Sequence, residues 1–198
     1  MTQKTKIAVL ISGNGSNLQA LIDACAVADY PAKIELVISN KVEAYGLKRA
    51  DAANIPTCVI SNRDFADRNQ FDEAIHQKLL EHNIEIVCLA GFMRLLTEDF
   101  TKQWEGRMLN IHPSLLPAYK GLDTHARVIA AGEKQTGATV HYVVAEMDAG
   151  EIILQQSVDI AQDDTTETLQ RKVHRIEHII YPKALKIAVN QYQNGRKL

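Results

Sequence analysis

Over its first 112 residues the chain alternates short apolar runs with segments whose apolar residues recur at helical spacing, and few folds accept that pattern. Ile7-Ala-Val-Leu-Ile11 is continuously apolar, as in a strand covered on both faces. After the turn Ser12-Gly-Asn-Gly-Ser16, Leu18, Leu21, Ile22 and Cys25 mark a helix. A second strand reads at Ile34–Ile38, then a helix near Ala44–Ala53 and a third strand at Pro56–Ile60. Phe65–His82 is an amphipathic helix with Phe71, Ile75, Leu79 and Leu80 inward. Ile86–Ala90, Thr97–Trp104 and Met108–His112 read as strand, helix and strand. Strands separated by helical crossovers pair in parallel, so the fold class is α/β, a Rossmann-like sheet with helices on both faces.

The pattern changes after residue 112. His112–Gly121 carries two prolines and reads as an irregular loop, followed by a short helix at about Thr124–Ala131. Thr139–Val144 and Ile152–Val158 read as strands, and the link containing Met147-Asp-Ala-Gly150 is short enough for antiparallel neighbours. Thr165 opens a helix with Glu167 in its first turn and Leu169, Val173, Ile176 and Ile180 inward. Pro182 is expected to kink or restart that helix. No linker interrupts the chain, so one domain over residues 1–198 with an antiparallel C-terminal addition is the economical reading.

Composition removes several function classes. Lys and Arg total 22 against 24 Asp and Glu, which leaves no basic excess for a nucleic-acid backbone. The longest apolar runs fall far short of the ~20 residues of a membrane span. Polar Ser12-Gly-Asn-Gly ends the first run too early for a signal peptide, so a cytoplasmic protein with no membrane partner is expected. Cys25, Cys58 and Cys88 lack CxxC spacing and are expected to be reduced and buried.

Four groups of residues can carry chemistry. The Ser12–Asn17 turn offers backbone N–H groups to an anion at a helix N-terminus. A dinucleotide is disfavoured, because Leu18 replaces the third glycine and Ser39-Asn40 replace the ribose-binding acid. A smaller phosphate ester fits better. His174-Arg-Ile-Glu-His178 has a zinc-protease spacing, but residues 181–198 hold no further Asp, Glu or His, so no metal is expected. Asn110 and His112 share a face at the C-terminal end of a strand, where open α/β sheets bind ligands. An amide and an imidazole there can hold a developing oxyanion and move a proton. Spacing leaves Glu146 and Asp148 open between surface charge and site, and His125 and His141, taken singly, are more often structural.

Five motifs in order carry a resemblance over nearly the whole chain: Ile11-Ser-Gly-Asn-Gly-Ser-Asn-Leu18, Leu89-Ala-Gly-Phe-Met-Arg94, Asn110-Ile-His-Pro-Ser-Leu-Leu-Pro117, Gly137-Ala-Thr-Val-His-Tyr142 and Glu146-Met-Asp-Ala-Gly150. The chain resembles the phosphoribosylglycinamide formyltransferases, folate-dependent enzymes of purine biosynthesis. The resemblance implies that the amine of 5-phosphoribosylglycinamide attacks the formyl carbon of 10-formyltetrahydrofolate, a co-substrate, with neither NAD nor metal. It implies that Asn110 and His112 hold the formyl oxygen, that His112 donates a proton, and that Asp148 keeps the imidazole charged. Gly15, Ser16 and Asn17 match the phosphate contact, and His174, Arg175, Ile176 and Glu177 a second nucleotide contact. Arg68, Met93, Arg94, Leu95, Leu96, Asn110, Val144, Ala145, Glu146, Met147 and Asp148 match the folate site.

By the same resemblance the nucleotide-binding half spans about residues 1–105 and the folate-binding and catalytic half about residues 106–198. Monomer and homodimer are both compatible with it. Two positions depart from the family pattern: Asp123 stands where a histidine is common, and Ala149 where a glycine is. A formyltransferase acting on methionyl-tRNA is expected to carry a further C-terminal domain, and a formyltetrahydrofolate hydrolase an additional N-terminal one. A non-catalytic sugar-phosphate sensor would need the glycine turn without Asn110, His112 and Asp148. A cis bond is expected at Leu116–Pro117, where a sharp reversal follows the strand end.

Overall fold

The computed structural model describes residues 4–195. Seven strands form one sheet: β1 (Thr5–Ile11), β2 (Ala32–Ser39), β3 (Thr57–Val59), β4 (Ile86–Leu89), β5 (Met108–His112), β6 (Gln135–Tyr142) and β7 (Ile152–Asp159). Their order is β3-β2-β1-β4-β5-β6-β7. The pairs among β1 to β5 are parallel, and β6 and β7 add on antiparallel. The helices are α1 (Ser16–Ala26), α2 (Tyr45–Ala52), α3 (Arg68–Glu81), α4 (Glu98–Gln103), α5 (Thr124–Ala130) and α6 (Thr166–Gln193). The chain winds outward from β1 to β3 and then returns to β4, so a switch point lies between β1 and β4, where ligands of such sheets bind.

Period-2 alternation divides the core into two. Ile7, Val9 and Ile11 of β1, Ile86 and Cys88 of β4, Leu109 and Ile111 of β5, and Ala138, Val140 and Tyr142 of β6 join one cluster, under α1, α5 and α6. Ala8, Leu10, Val87, Leu89 and Met108 face the other, under Phe71, Ile75 and Leu79 of α3 and Phe100 of α4. Helices therefore lie on both faces, as the sequence pattern requires. Asn110 and His112, alternating with Leu109 and Ile111, fall on the α3–α4 face.

Several expectations need correction. β6 begins at Gln135 and ends at Tyr142, because its polar first residues pair with β7 from Gln135–Asp159 onward. Leu80 is 50% exposed, one step off the inward stripe of α3. Only Cys88 is fully buried; Cys25 and Cys58 are partly covered, and all three are free thiols. The Leu116–Pro117 bond is cis, as expected. Among the described residues no helix is long and apolar enough to cross a membrane.

The expected restart at Pro182 does not occur: α6 runs through it as one helix. An interior proline costs ~3 kcal/mol. Apolar burial on either side exceeds that, since Val173, Ile176, Ile180, Leu185 and Val189 are all buried and each contributes about 1.5–3 kcal/mol. Hydrogen bonds pin the same stretch. The Tyr181 hydroxyl donates to the Leu89 carbonyl at 2.9 Å, and the Tyr30 hydroxyl to the Pro182 carbonyl at 2.7 Å. Pro182→Ala is therefore expected to raise stability by roughly 1–3 kcal/mol, read as a higher urea midpoint at unchanged m. A lower midpoint would show that the neighbours are shaped to the ring.

Candidate active site

Three strand ends meet at the switch point. After β1, Gly15 adopts a left-handed conformation (φ 73°) and caps α1 without any side-chain hydrogen bond, so the first-turn N–H groups stay available. A Cβ at Gly15 would stand 2.7 Å from Gly46 Cα, and the Gly46 N–H donates to the Gly13 carbonyl at 3.0 Å. The turn thus packs backbone to backbone against α2. Arg49 clamps it by donating to the Asn14 carbonyl and Oδ1 at 2.9 and 3.0 Å.

α6 reaches the same turn from below. Asn17 Nδ2 donates to Glu177 Oε2 at 2.8 Å, while Asn17 Oδ1 is buried without a protein partner. Burial raises the Glu177 carboxyl to about 7, against the lowering effect of the Asn17 donor. Burial also lowers His174, whose ring stacks on His178 with centroids 6.3 Å apart. Arg175 is exposed and Ile176 lies in the core, and of the 174–177 stretch it is Glu177 that is hydrogen-bonded to the turn.

The polar cluster sits on β5 and β6. Antiparallel register sets Asn110 opposite His141 and His112 opposite Thr139. His141 Nδ1 lies 2.8 Å from the Tyr142 carbonyl and donates to it, so Nε2 is left to accept from Asn110 Nδ2 at 3.3 Å. Burial lowers the His141 pKa and outweighs the opposing Tyr142 carbonyl and Asp148, so the ring is neutral at neutral pH. The 3.7 Å approach of Asp148 Oδ1 to His141 Nε2 is for that reason not an ion pair.

Asp148 comes from the β6–β7 loop, which folds back over the sheet. Its Oδ2 lies 3.4 Å from His112 Nδ1 and accepts from the Gly121 N–H at 2.9 Å. The other ring nitrogen, His112 Nε2, is 2.9 Å from the Tyr119 carbonyl. Each imidazole nitrogen therefore faces an acceptor. Asn110 keeps one amide hydrogen on His141 and has a second to offer.

The loop after β4 completes the rim. The Ser12 hydroxyl accepts from the Met93 N–H at 2.8 Å, and Asp72 Oδ2 accepts from the Thr97 N–H at 2.6 Å. Burial raises the Asp72 pKa, opposed by that N–H and by Arg68 and Arg94. Met93 and Leu95 are exposed, and Leu96 packs partly on the core. Arg68 and Arg94 line one small cleft with Phe65 and Phe71. Val144 is half-buried, Ala145 and Met147 are exposed, and Glu146 pairs with Lys120 at 3.0 Å.

A sequence model of the family described as formyl transferase matches residues 5–185. The chain belongs to the formyl transferase family. It is 48% identical to a phosphoribosylglycinamide formyltransferase of Haemophilus influenzae, over 91% of this chain and 85% of that protein. It is 50% identical to a trifunctional purine biosynthetic protein adenosine-3 of Chironomus tentans over 96% of this chain. The chain spans only 14–20% of the length of such trifunctional relatives. A phosphoribosylglycinamide formyltransferase structure from Coxiella burnetii superposes with a TM-score of 0.90 at 47% identity, covering 96% of this chain and 89% of that one.

In this formyl transferase chain the residues singled out from sequence fall into three groups around the switch point. Of the two departures, Asp123 lies outside the cluster and Ala149 adjoins it. Asp123 takes a left-handed conformation at the start of α5, and Ala149 is exposed beside Asp148. Sequence reasoning set His141 aside and did not consider Arg49 or the Tyr119 carbonyl. The β5–β6 register is the signal that would have found His141, and a 22-residue connection conceals it.

Glu177 yields a pH test. Its carboxyl sits at about 7 in the folded chain against 4.5 ordinarily, so between those values the folded state binds more protons than the unfolded one. Stability attributable to Glu177 therefore falls as pH rises through that window. Glu177→Gln is expected to stabilise the protein by on the order of 1–3 kcal/mol near pH ~8 and not near pH ~4, measured by urea midpoints. The same difference at both pH values would mean that Glu177 titrates normally.

Proposed function

We propose that the chain transfers the formyl group of 10-formyltetrahydrofolate to the amine of 5-phosphoribosylglycinamide. The products are formylglycinamide ribonucleotide and tetrahydrofolate, and the step belongs to purine biosynthesis. The observation that carries this reading is the Asn110–His112–Asp148 cluster, reached from two separate rims. The full-length relatives of that name support the substrate pair.

The nucleotide phosphate sits on the N–H groups of Gly15, Ser16 and Asn17, where the helix dipole favours an anion. Glu177 braces that turn from below through its hydrogen bond with Asn17. Arg175 and Ile176 contribute position only. The pteridine lies on Met93, Leu95, Leu96 and the 144–148 loop, with Arg68 and Arg94 toward the carboxylate end of the folate. Folate contacts therefore come from both halves of one domain, residues 1–105 and 106–198.

The amine nitrogen attacks the formyl carbon, and negative charge develops on the formyl oxygen. The second Asn110 amide hydrogen and the His112 proton stabilise it. Asp148 holds Nδ1, so the proton offered to substrate is on Nε2, which the Tyr119 carbonyl holds until substrate enters. Collapse breaks the bond to N10, which gains a proton while the amine nitrogen loses one. The reaction runs in a soluble compartment on small molecules.

Mixing the protein with 10-formyltetrahydrofolate and following folate absorbance tests the reading: loss only when the amine is present is expected, and loss without it would indicate hydrolysis instead. Asp148→Asn is expected to lower turnover roughly 10²- to 10⁴-fold with nucleotide affinity unchanged. The double variant with His112→Asn should cost less than the product of the two single effects. Full activity in Asp148→Asn would remove the carboxylate from the mechanism. Gly15→Val should raise the nucleotide KM about tenfold or more and spare the folate KM, because the added Cβ moves the anion-binding N–H groups. Equal loss of both substrates would deny the turn a specific role.

A further inference from the structure

Ser12 and Asn40 are the residues that follow β1 and β2, and period-2 alternation carries both onto the α3–α4 face with Leu10 and Ile38. The parallel register Ile11↔Ser39 sets them side by side, and the Ser12 hydroxyl donates to Asn40 Oδ1 at 2.6 Å. On the other flank of β1 the chain leaves β4, with the Ala90 N–H on the Leu10 carbonyl at 2.9 Å. There the same hydroxyl accepts from the Met93 N–H at 2.8 Å. Ser12 and Asn40 are both buried, so one hydroxyl joins the exits of three strands out of reach of solvent.

The loop that Ser12 meets has little else to hold it. At one end Phe92 is buried and stacks on Phe71 with centroids 6.5 Å apart, and at the other the Thr97 N–H is held by Asp72. Among the described residues, no backbone hydrogen bond except that of Met93 joins residues 93–96 to another part of the chain. Met93 and Leu95 are 63% and 59% exposed, so Leu96 is the apolar side chain of the loop that packs on the core. The anion side of the Ser12–Asn17 turn is fixed by other contacts. The Gly46 N–H holds the Gly13 carbonyl, Arg49 holds Asn14, and the turn then runs into α1 on the opposite face of the sheet.

We propose that Ser12 is a positioning residue for the formyl-folate co-substrate: its hydroxyl presets the 93–96 loop in the shape that receives the pteridine, although Ser12 belongs to the turn assigned to the nucleotide. The proposal rests on the formyl-folate reading above. Without the hydroxyl the Met93 N–H has no protein acceptor, and the loop must be ordered at the moment the pteridine binds. That cost falls on folate binding. It is the same in the bound substrate and in the transition state, so it raises the folate KM and leaves kcat as it was. The nucleotide turn keeps its Gly46 and Arg49 contacts and is not affected.

The test compares Ser12→Ala and Ser12→Thr with the unaltered chain, by steady-state kinetics and by amide hydrogen exchange at Met93. Ser12→Ala should raise the KM for 10-formyltetrahydrofolate roughly five- to thirtyfold, as the loss of one buried acceptor allows, with kcat and the nucleotide KM unchanged. Its Met93 N–H should exchange faster in the free protein. Ser12→Thr keeps the hydroxyl and should keep both the slow exchange and the folate KM. An unchanged folate KM in Ser12→Ala, or an equal rise in both KM values, overturns the proposal. A raised folate KM in Ser12→Thr with the Met93 N–H still protected does so too. Should Ser12→Ala not fold, Ser12→Cys replaces it, because a thiol is the weaker acceptor, and an unchanged folate KM there overturns the proposal. If the unaltered chain supports no transfer, the formyl-transfer reading fails on its own. Calorimetry with unreactive pteroylmonoglutamate then reads the loop directly, and equal affinities in the unaltered chain and Ser12→Ala overturn the role of Ser12.

Discussion

The antiparallel closure of β6 on β5 is the constraint on which the site depends. Leu109, Ile111, Ala138, Val140 and Tyr142 must all face the cluster under α6 to be dry. With a period of two, Asn110, His112, Thr139 and His141 then have no choice but the opposite face. A slip of one residue would place imidazoles in the apolar core and apolar side chains in the cleft. The cost of that exchange holds the polar groups in register.

On that face the cover over β5 and β6 comes from two loops. The 113–121 loop is bound to the sheet through Thr139, whose hydroxyl donates to the Ser114 carbonyl at 2.7 Å and accepts from the Leu116 N–H at 3.1 Å. Gln155 adds a donor to both Leu116 and Thr139. The same loop supplies the Tyr119 carbonyl to His112, and its Gly121 N–H meets Asp148. The loops therefore orient the catalytic candidates as well as cover them, and a carboxylate from one is held by a backbone N–H of the other.

Burial sets the protonation of the surrounding groups. His141 is kept neutral so that its Nε2 can accept from Asn110, and that bond determines which Asn110 hydrogen remains for a ligand. Glu177 is pushed up to about 7 under the Ser12–Asn17 turn, so its charge depends on what binds there. An anion above it and a carboxylate below would repel, and a protonated Glu177 removes that conflict.

Much of the fold was legible because its signals are local. The Ile7–Ile11 run, the Ser12–Asn17 turn and the stripe of Leu169, Val173, Ile176 and Ile180 each follow from burial acting on neighbours in sequence. Alternation alone placed Asn110 and His112 on one face of β5. The continuity of α6 through Pro182 was not legible, because the burial that outweighs the proline comes from the sheet. The sequence by itself determined the α/β class, the glycine turn at Ser12–Asn17 and the placing of Asn110 and His112 on one face. Only the tertiary structure decided that His141 stands opposite Asn110, that Asp148 folds back to within 3.4 Å of His112, and that Arg49 clamps the turn. Those contacts join residues 31 to 36 positions apart, and no local periodicity records which distant residue packing will bring opposite.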